Sequence, residues 1–183
     1  IELDTGNGDG QMTLRAGRSE FTLQTLPTED FPQTDGGDLP HRFALPAAEL
    51  RGLVDRTRFA ISTEETRYYL NGIFMHTTSS EGNDVMRTVA TDGHRLARVE
   101  MPVPQGAAGM PGIIIPRKTV NELRKLIDEI TDDIDIALSE TSVRFAFNNA
   151  VLTSKLIDGT FPDYERVIPT GNDKSLNVDC RSF

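Results

Sequence analysis

The stretch TVATDGHRLARVEM, Thr88 to Met101, holds the residues best placed to do chemistry: Asp92 and His94 flank Gly93 in a chain with only three histidines. Such a pair could act as a catalytic base with its orienting partner, could contribute a metal ligand, or could mark a hairpin whose corner lines a binding pocket. Catalysis would need a nucleophile, and neither a GxSxG elbow nor a cysteine in a nucleophile context accompanies the pair. Metal binding would need ligand-like spacing. His41, His76 and His94 lack it, and the one cysteine, Cys180, cannot complete a zinc cluster or form an internal disulfide. The run DTGNGDG from Asp4 has Gly at the third loop position and no Glu at the twelfth, so it reads as a glycine-rich turn and not a calcium loop. Asp132, Asp133 and Asp135 read as a helix-exit turn, not the acidic cluster a nuclease or polymerase would need. No catalytic residue, metal or cofactor is therefore expected. The pocket-lining hairpin remains: Asp92-Gly93 lies between the alternating runs VMRTVA and HRLARV.

The elements around this turn repeat. RFALPAAELRGLVDRT from Arg42 and GIIIPRKTVNELRKLI from Gly112 are both a short apolar strand followed by an amphipathic helix, 70 positions apart. Pro46 and Pro116 fit the first helical turn, where a missing N–H costs nothing. Three strand-like runs follow each helix, LNGIFMHTT, VMRTVAT and HRLARVEM after the first, IDIALS, SVRFAFN and AVLTSKL after the second. Each half thus reads βαβββ, with the Pro/Gly-rich MPVPQGAAGMPG joining them. A second repeat, at an offset of 130, aligns RSEFTLQTLPTEDFP with NAVLTSKLIDGTFPD, so that Phe31-Pro32 matches Phe161-Pro162. The chain is expected to begin inside one copy, and KSLNVDCRSF to open a further one.

On the second helix Val120, Leu123, Leu126, Ile127 and Ile130 fall on one arc, the expected core face. Arg117, Lys118, Arg124 and Lys125 lie opposite it. In the first helix Leu50, Leu53 and Val54 point inward, with Arg51 and Arg58 on a shared outward face and Asp55 and Asp128 diluting the charge. Such cations either solvate an amphipathic helix or, summed over two related helices, form a track for phosphates.

The bulk numbers limit the classes open to the chain. At 183 residues, 37% hydrophobic and 26% charged with a mean hydropathy of -0.35, it has a globular composition, and no apolar run approaches the roughly 18 residues of a membrane span. A net charge of -9 opposes any coating of nucleic acid, so contact with DNA must use a concentrated basic patch. IELDTGNGDG has neither a basic n-region nor an apolar h-region and looks like a cut edge, which points to an excised piece, while the single Cys180 points to a reducing compartment, the cytoplasm.

The runs RYYLNGI, RTVATDGHRLA, IIIPRKTVNEL and TSKLIDGTFPDYERVIP, in this order, closely resemble the bacterial DNA sliding clamps, the beta subunits of DNA polymerase III. The resemblance spans essentially the whole chain. It implies an α+β fold, the DNA clamp, with two βαβββ halves per domain and helices on one inner face of antiparallel sheets. It divides the chain into the end of a first domain (1–38), a complete middle domain (39–168) and the start of a third (169–183). It implies that Arg51, Arg58, Arg117, Lys118, Arg124 and Lys125 face duplex DNA, and adds Arg67, Tyr68 and Tyr69, where a cation and rings can meet phosphate and bases. Ordinary sheet packing is the competing account of the two tyrosines, and Glu64 and Glu65 oppose the contact.

The family's second site is a hydrophobic cleft for short linear peptides of polymerase, clamp loader and repair proteins. The resemblance places Leu70, Thr91, Gly93, His94, Arg95, Leu96, Pro162, Arg166 and Val167 there. Leu70, Leu96 and Val167 could equally be plain core residues. Burying two apolar anchors contributes roughly 3–6 kcal/mol before ordering costs, which sets an affinity on the order of micromolar. The implied function is a non-enzymatic processivity factor of the replicative polymerase, a head-to-tail homodimer when complete. The piece itself is expected to be monomeric, to bind peptides more weakly and not to close a ring. A stand-alone peptide-docking adaptor that never touches DNA is the alternative.

Overall fold

The computed structural model describes residues 1–6, 10–31 and 37–183. Asn7–Asp9 of the glycine-rich turn and Pro32 of the Phe31-Pro32 match lie outside them. The chain divides into two compact units, Ile1–Asp35 and Gly36–Phe183.

The first unit is an antiparallel sheet of β1 (Glu2–Asp4), β2 (Gln11–Ala16) and β3 (Ser19–Gln24), in that order. Leu3, Leu14 and Phe21 stand opposite one another across it, and Leu3 and Phe21 are exposed.

The second unit carries both βαβββ halves. The first comprises β4 (His41–Pro46), α1 (Ala47–Asp55), β5 (Gly72–Ser80), β6 (Asn83–Thr91) and β7 (Leu96–Pro102). The second comprises β8 (Ile113–Pro116), α2 (Arg117–Leu126), β9 (Asp133–Leu138), β10 (Ser142–Ala146) and β11 (Val151–Lys155). Both repeats persist in the structure: α1 and α2 start 70 positions apart, and β2 and β10 end 130 positions apart, at Ala16 and Ala146. The two prolines sit one place earlier than expected. Pro46 and Pro116 are the last strand residues and cap the helices with extended backbone, ψ 134° and 145°. The first helical N–H groups then donate across the halves, Ala47 to Asp132 O at 3.2 Å and Arg117 to Asn71 O at 2.9 Å.

The halves exchange their first strands. One sheet runs β11-β10-β9-β4 and the other β7-β6-β5-β8, all antiparallel, so β4 pairs with β9 and β8 with β5. Leu45 meets Ile134 and Ile73 meets Ile115 in the two exchanged pairings. These side chains join Leu50, Leu53, Val54, Val120, Leu123 and Ile127 in one core beneath both helices.

The second sheet is covered on both faces. Its outward side chains Phe74, Val89 and Ile114 meet Leu70, Phe161 and Tyr164, in a cluster formed where the segment after β11 crosses back over the sheet. Burial on both sides explains the unbroken apolar run of β8, whereas β9, with one face in solvent, alternates.

Two helix assignments are corrected. Leu126 is 41% exposed and leaves the core face to Ile127, because α2 ends at Leu126 and Ile127 closes the helix under the core. Arg58 does not share a face of α1 with Arg51, since α1 ends at Asp55 and Arg58 opens a separate short turn, Arg58–Ala60.

Candidate functional site

The two helices are in contact, and their C-terminal ends are bridged by side chains. Arg124 Nε of α2 donates to Asp55 Oδ1 of α1 at 2.7 Å, and Arg51 Nη2 of α1 donates to the carbonyl of Ile127 at 2.7 Å and of Ile130 at 3.2 Å. The nearby cations therefore differ in what they can offer. Arg51 caps the end of α2 and has its Nε buried without a partner. Arg124 also binds Asp128 at 2.7 Å, and its bonds to Asp55 and Asp128 raise its pKa above the usual arginine value. Arg58 lies 3.3 Å from Asp55, and Lys125 lies 2.9 Å from Glu122 with a side chain 70% exposed, loose pairs a phosphate could replace. Arg117 and Lys118 have no acidic partner among the described residues. Both line a groove of about 460 Å³ with Tyr68, Asn71, Asn121 and Glu122. Arg56, the exposed residue that closes α1, also makes no ion pair among the described residues; its place in the run Arg51-Arg56-Arg58 was the available signal.

The RYY triplet separates, because it lies in a kinked 3-10 segment, Glu65–Leu70, and not at a strand start. Tyr68 is 53% exposed beside Arg117 and Lys118. Tyr69 packs on the cluster over the second sheet. Arg67 is ion-paired with Glu64 and lies against Gly93, where a Cβ would sit 2.6 Å from its Nη1.

A second depression, about 500 Å³, opens on the outer face of the second sheet. Thr91, Gly93, His94, Arg95, Leu96 and Val167 line it, together with Arg98, Ile168 and Pro169. Arg98 follows Leu96 by two strand positions, and that alternation was the signal that could have found it. The loop between β6 and β7 is four residues, Asp92–Arg95, so His94 and Arg95 stand in the turn and not in the strand. Asp92 organises it. Its Oδ1 accepts from the His94 and Arg95 N–H groups at 3.0 Å each, and those bonds hold its carboxyl down to about 2. Thr91 Oγ1 accepts from Gly93 N at 3.1 Å and donates to Arg95 O at 2.8 Å, so the threonine serves the turn as well as the wall. Gly93 has φ +90°, which favours glycine. The Arg95 guanidinium lies over the ring of Phe59, 5.5 Å from its centroid.

Three expected lining residues lie elsewhere. Leu70 is 4% exposed, inside the cluster beneath the depression and not on its wall. Pro162 is exposed outside it, and Arg166 turns to Asp163 at 2.7 Å.

Residues 44–163 match the family model described as "DNA polymerase III beta subunit, central domain". The chain is 51% identical over all 183 residues to a beta sliding clamp of Caulobacter vibrioides, of which it covers 49%. It is 41% identical over 170 residues to that of Escherichia coli K12, covering 93% of this chain and 45% of the relative. Among solved structures, a Bartonella birtlesii sliding clamp bound to griselimycin superposes with a TM-score of 0.84 at 55% identity, covering 91% of this chain and 45% of that one. A C. crescentus clamp with bound PEG gives 0.86 at 52%, covering 94% and 45%. The chain thus spans about half the length of the relatives it matches. With an antiparallel α+β architecture of paired βαβββ halves and this agreement in sequence and structure, the chain belongs to the DNA polymerase III beta subunit family, the bacterial sliding clamps.

Proposed function

We propose that this chain is the central part of a sliding clamp, a processivity factor that encircles duplex DNA and docks polymerase, clamp loader and repair proteins through a peptide cleft. In this reading residues 1–38 end a first domain, 39–168 form the middle domain and 169–183 begin a third, within a cytoplasmic head-to-tail homodimer. The protein has no catalytic site of its own. Arg117, Lys118 and Tyr68 form the part of the DNA-facing surface most open to phosphates, while Arg58 and Lys125 exchange their carboxylates for phosphate. Thr91, Gly93, His94, Arg95, Leu96 and Val167 form the peptide cleft. In this reading griselimycin, which the B. birtlesii clamp binds, would dock in that cleft here.

The observation that supports the reading is the adjacency of the two helices, joined by Arg124–Asp55, with two cations at the start of α2 that make no ion pair among the described residues. In a chain of net charge -9, local positive charge on twin helices supports DNA passage better than a cleft alone would.

Charge reversal at Arg117 and Lys118 in the full-length protein tests it. Equilibrium affinity for short linear duplex DNA should fall, with the slope of log affinity against log salt reduced by about 2 per subunit in contact and peptide affinity unchanged. Affinity equal to that of the unaltered protein would favour the peptide-docking adaptor.

A further inference from the structure

The wall of the cleft formed by Val167, Ile168 and Pro169 is held by very little backbone. Ile157 N donates to Ile114 O at 3.0 Å, and beyond that point no backbone hydrogen bond ties the segment to the sheet among the described residues. Side chains anchor it instead. Phe161 stacks on Phe74 with centroids 4.8 Å apart, and Tyr164 is 6% exposed.

Arg87 is the polar anchor. It stands in β6, opposite His76 on one side and Glu100 on the other, with its side chain 3% exposed. Nε donates to Glu100 Oε2 at 2.9 Å, and Nη2 is ion-paired with the same oxygen at 2.9 Å. Nη1 donates to the Tyr164 hydroxyl at 2.8 Å and to Glu165 Oε1 at 2.6 Å, across 77 and 78 positions. The Tyr164 hydroxyl also meets His76 Nε2 at 2.9 Å. Burying a cation is costly, and an apolar residue would cover the sheet at least as well, so stability alone gives little reason for arginine here. What arginine adds is direction. Its planar fork fixes Tyr164 and Glu165 to one strand position, and Val167 follows two residues later on the same short turn, Tyr164–Val167.

We propose that Arg87 is a positioning residue of the cleft, setting the separation between the Val167–Pro169 wall and the Thr91–Leu96 wall without lining the cleft itself. The inference rests on the peptide-cleft reading above.

The test uses the full-length protein with two probes, griselimycin and a fluorescein-labelled extended peptide carrying a leucine and a phenylalanine. Tyr164→Phe removes the hydroxyl at one end of the fork, and Glu165→Gln removes the carboxylate charge at the other while leaving an amide oxygen that can still accept. Each should weaken both probes by about threefold to tenfold, the range expected for one hydrogen bond of ordinary strength. Arg87→Met should weaken them further, and Arg87→Lys, which keeps the charge and one donor head, should recover part of the loss. Amide exchange should quicken in residues 162–169 while β5 to β7 keep their protection. Binding unchanged in Tyr164→Phe and Glu165→Gln overturns the inference alone, as does faster exchange spread evenly through the sheet. If the unaltered protein binds neither probe, the cleft reading falls and takes the inference with it.

Discussion

Arg51 Nη2 donates to the carbonyl of Ile127 at 2.7 Å, joining the outward face of α1 to the end of α2 across 76 positions. A side chain whose position on the helix points to phosphate binding is thus committed to a neighbouring helix. Helix ends leave carbonyls without intrahelical partners, and a cation there satisfies both the hydrogen bond and the dipole. Arg51→Met should therefore destabilise the unit by about 1–2 kcal/mol in denaturant unfolding. Lys118→Glu, which touches no such partner, should leave unfolding unchanged and lower DNA retention instead. Equal stability in the two variants would contradict the assignment.

The exchanged strands make a separate prediction at Gly72, which faces Pro116 where β5 meets β8. A Cβ there would run into the carbonyl oxygen of Ile115, a backbone atom fixed by the pairing. Gly72→Ala should cost about 1–3 kcal/mol, the usual range for overpacking. Thermal unfolding reads it; a neutral result would mean that β8 is held elsewhere.

At the cleft, Gly93→Ala faces two obstacles, φ +90° and the Arg67 guanidinium 2.6 Å from the new Cβ. The strain should cost on the order of 1–3 kcal/mol and displace Arg67. Peptide affinity should drop in Gly93→Ala, and removing the clash with Arg67→Ala should recover only the part due to contact. Full recovery would show that the backbone conformation is not strained.

Asp92 predicts the response of the loop to acid. Its carboxyl is held below the ordinary 3.8, at about 2, chiefly by the His94 and Arg95 N–H groups. A depressed folded-state value means that the stabilising contribution is present above about pH 3.8 and is lost as pH falls through about 2. A carboxyl carbon titration by NMR should place its midpoint near 2. A midpoint at 3.8 would mean that the turn bonds are absent in solution.

Leu126 and Leu123 separate sequence pattern from packing. Leu123 is 1% exposed and Leu126 41%. Leu123→Ala should cost about 2–5 kcal/mol, whereas Leu126→Ser should stay within about 0.5 kcal/mol. Chemical denaturation of the two variants side by side decides it.

Much of this architecture is legible in the residues alone. Apolar alternation, Pro46 and Pro116 at equivalent places, and helix-period leucines specify two βαβββ halves, because strand and helix periods are local properties of the chain. The Asp92-Gly93 turn and the cleft residues beside it are local in the same sense: Thr91 and Leu96 are strand partners, and the loop bonds span at most four positions. What the sequence leaves open is which surface each half buries. Exchange of β4 and β8 between the halves follows from long-range pairing, which the local apolar pattern of either strand does not specify. The same holds for charge. Helical spacing puts Arg51, Arg124 and Lys118 outside the apolar face, yet the Ile127 carbonyl and Asp55 claim the first two and leave the third without an ion pair among the described residues. Tertiary structure alone decided that, since a side chain's partner depends on elements brought together from 69 or more positions away, a distance at which residue spacing carries no geometric information.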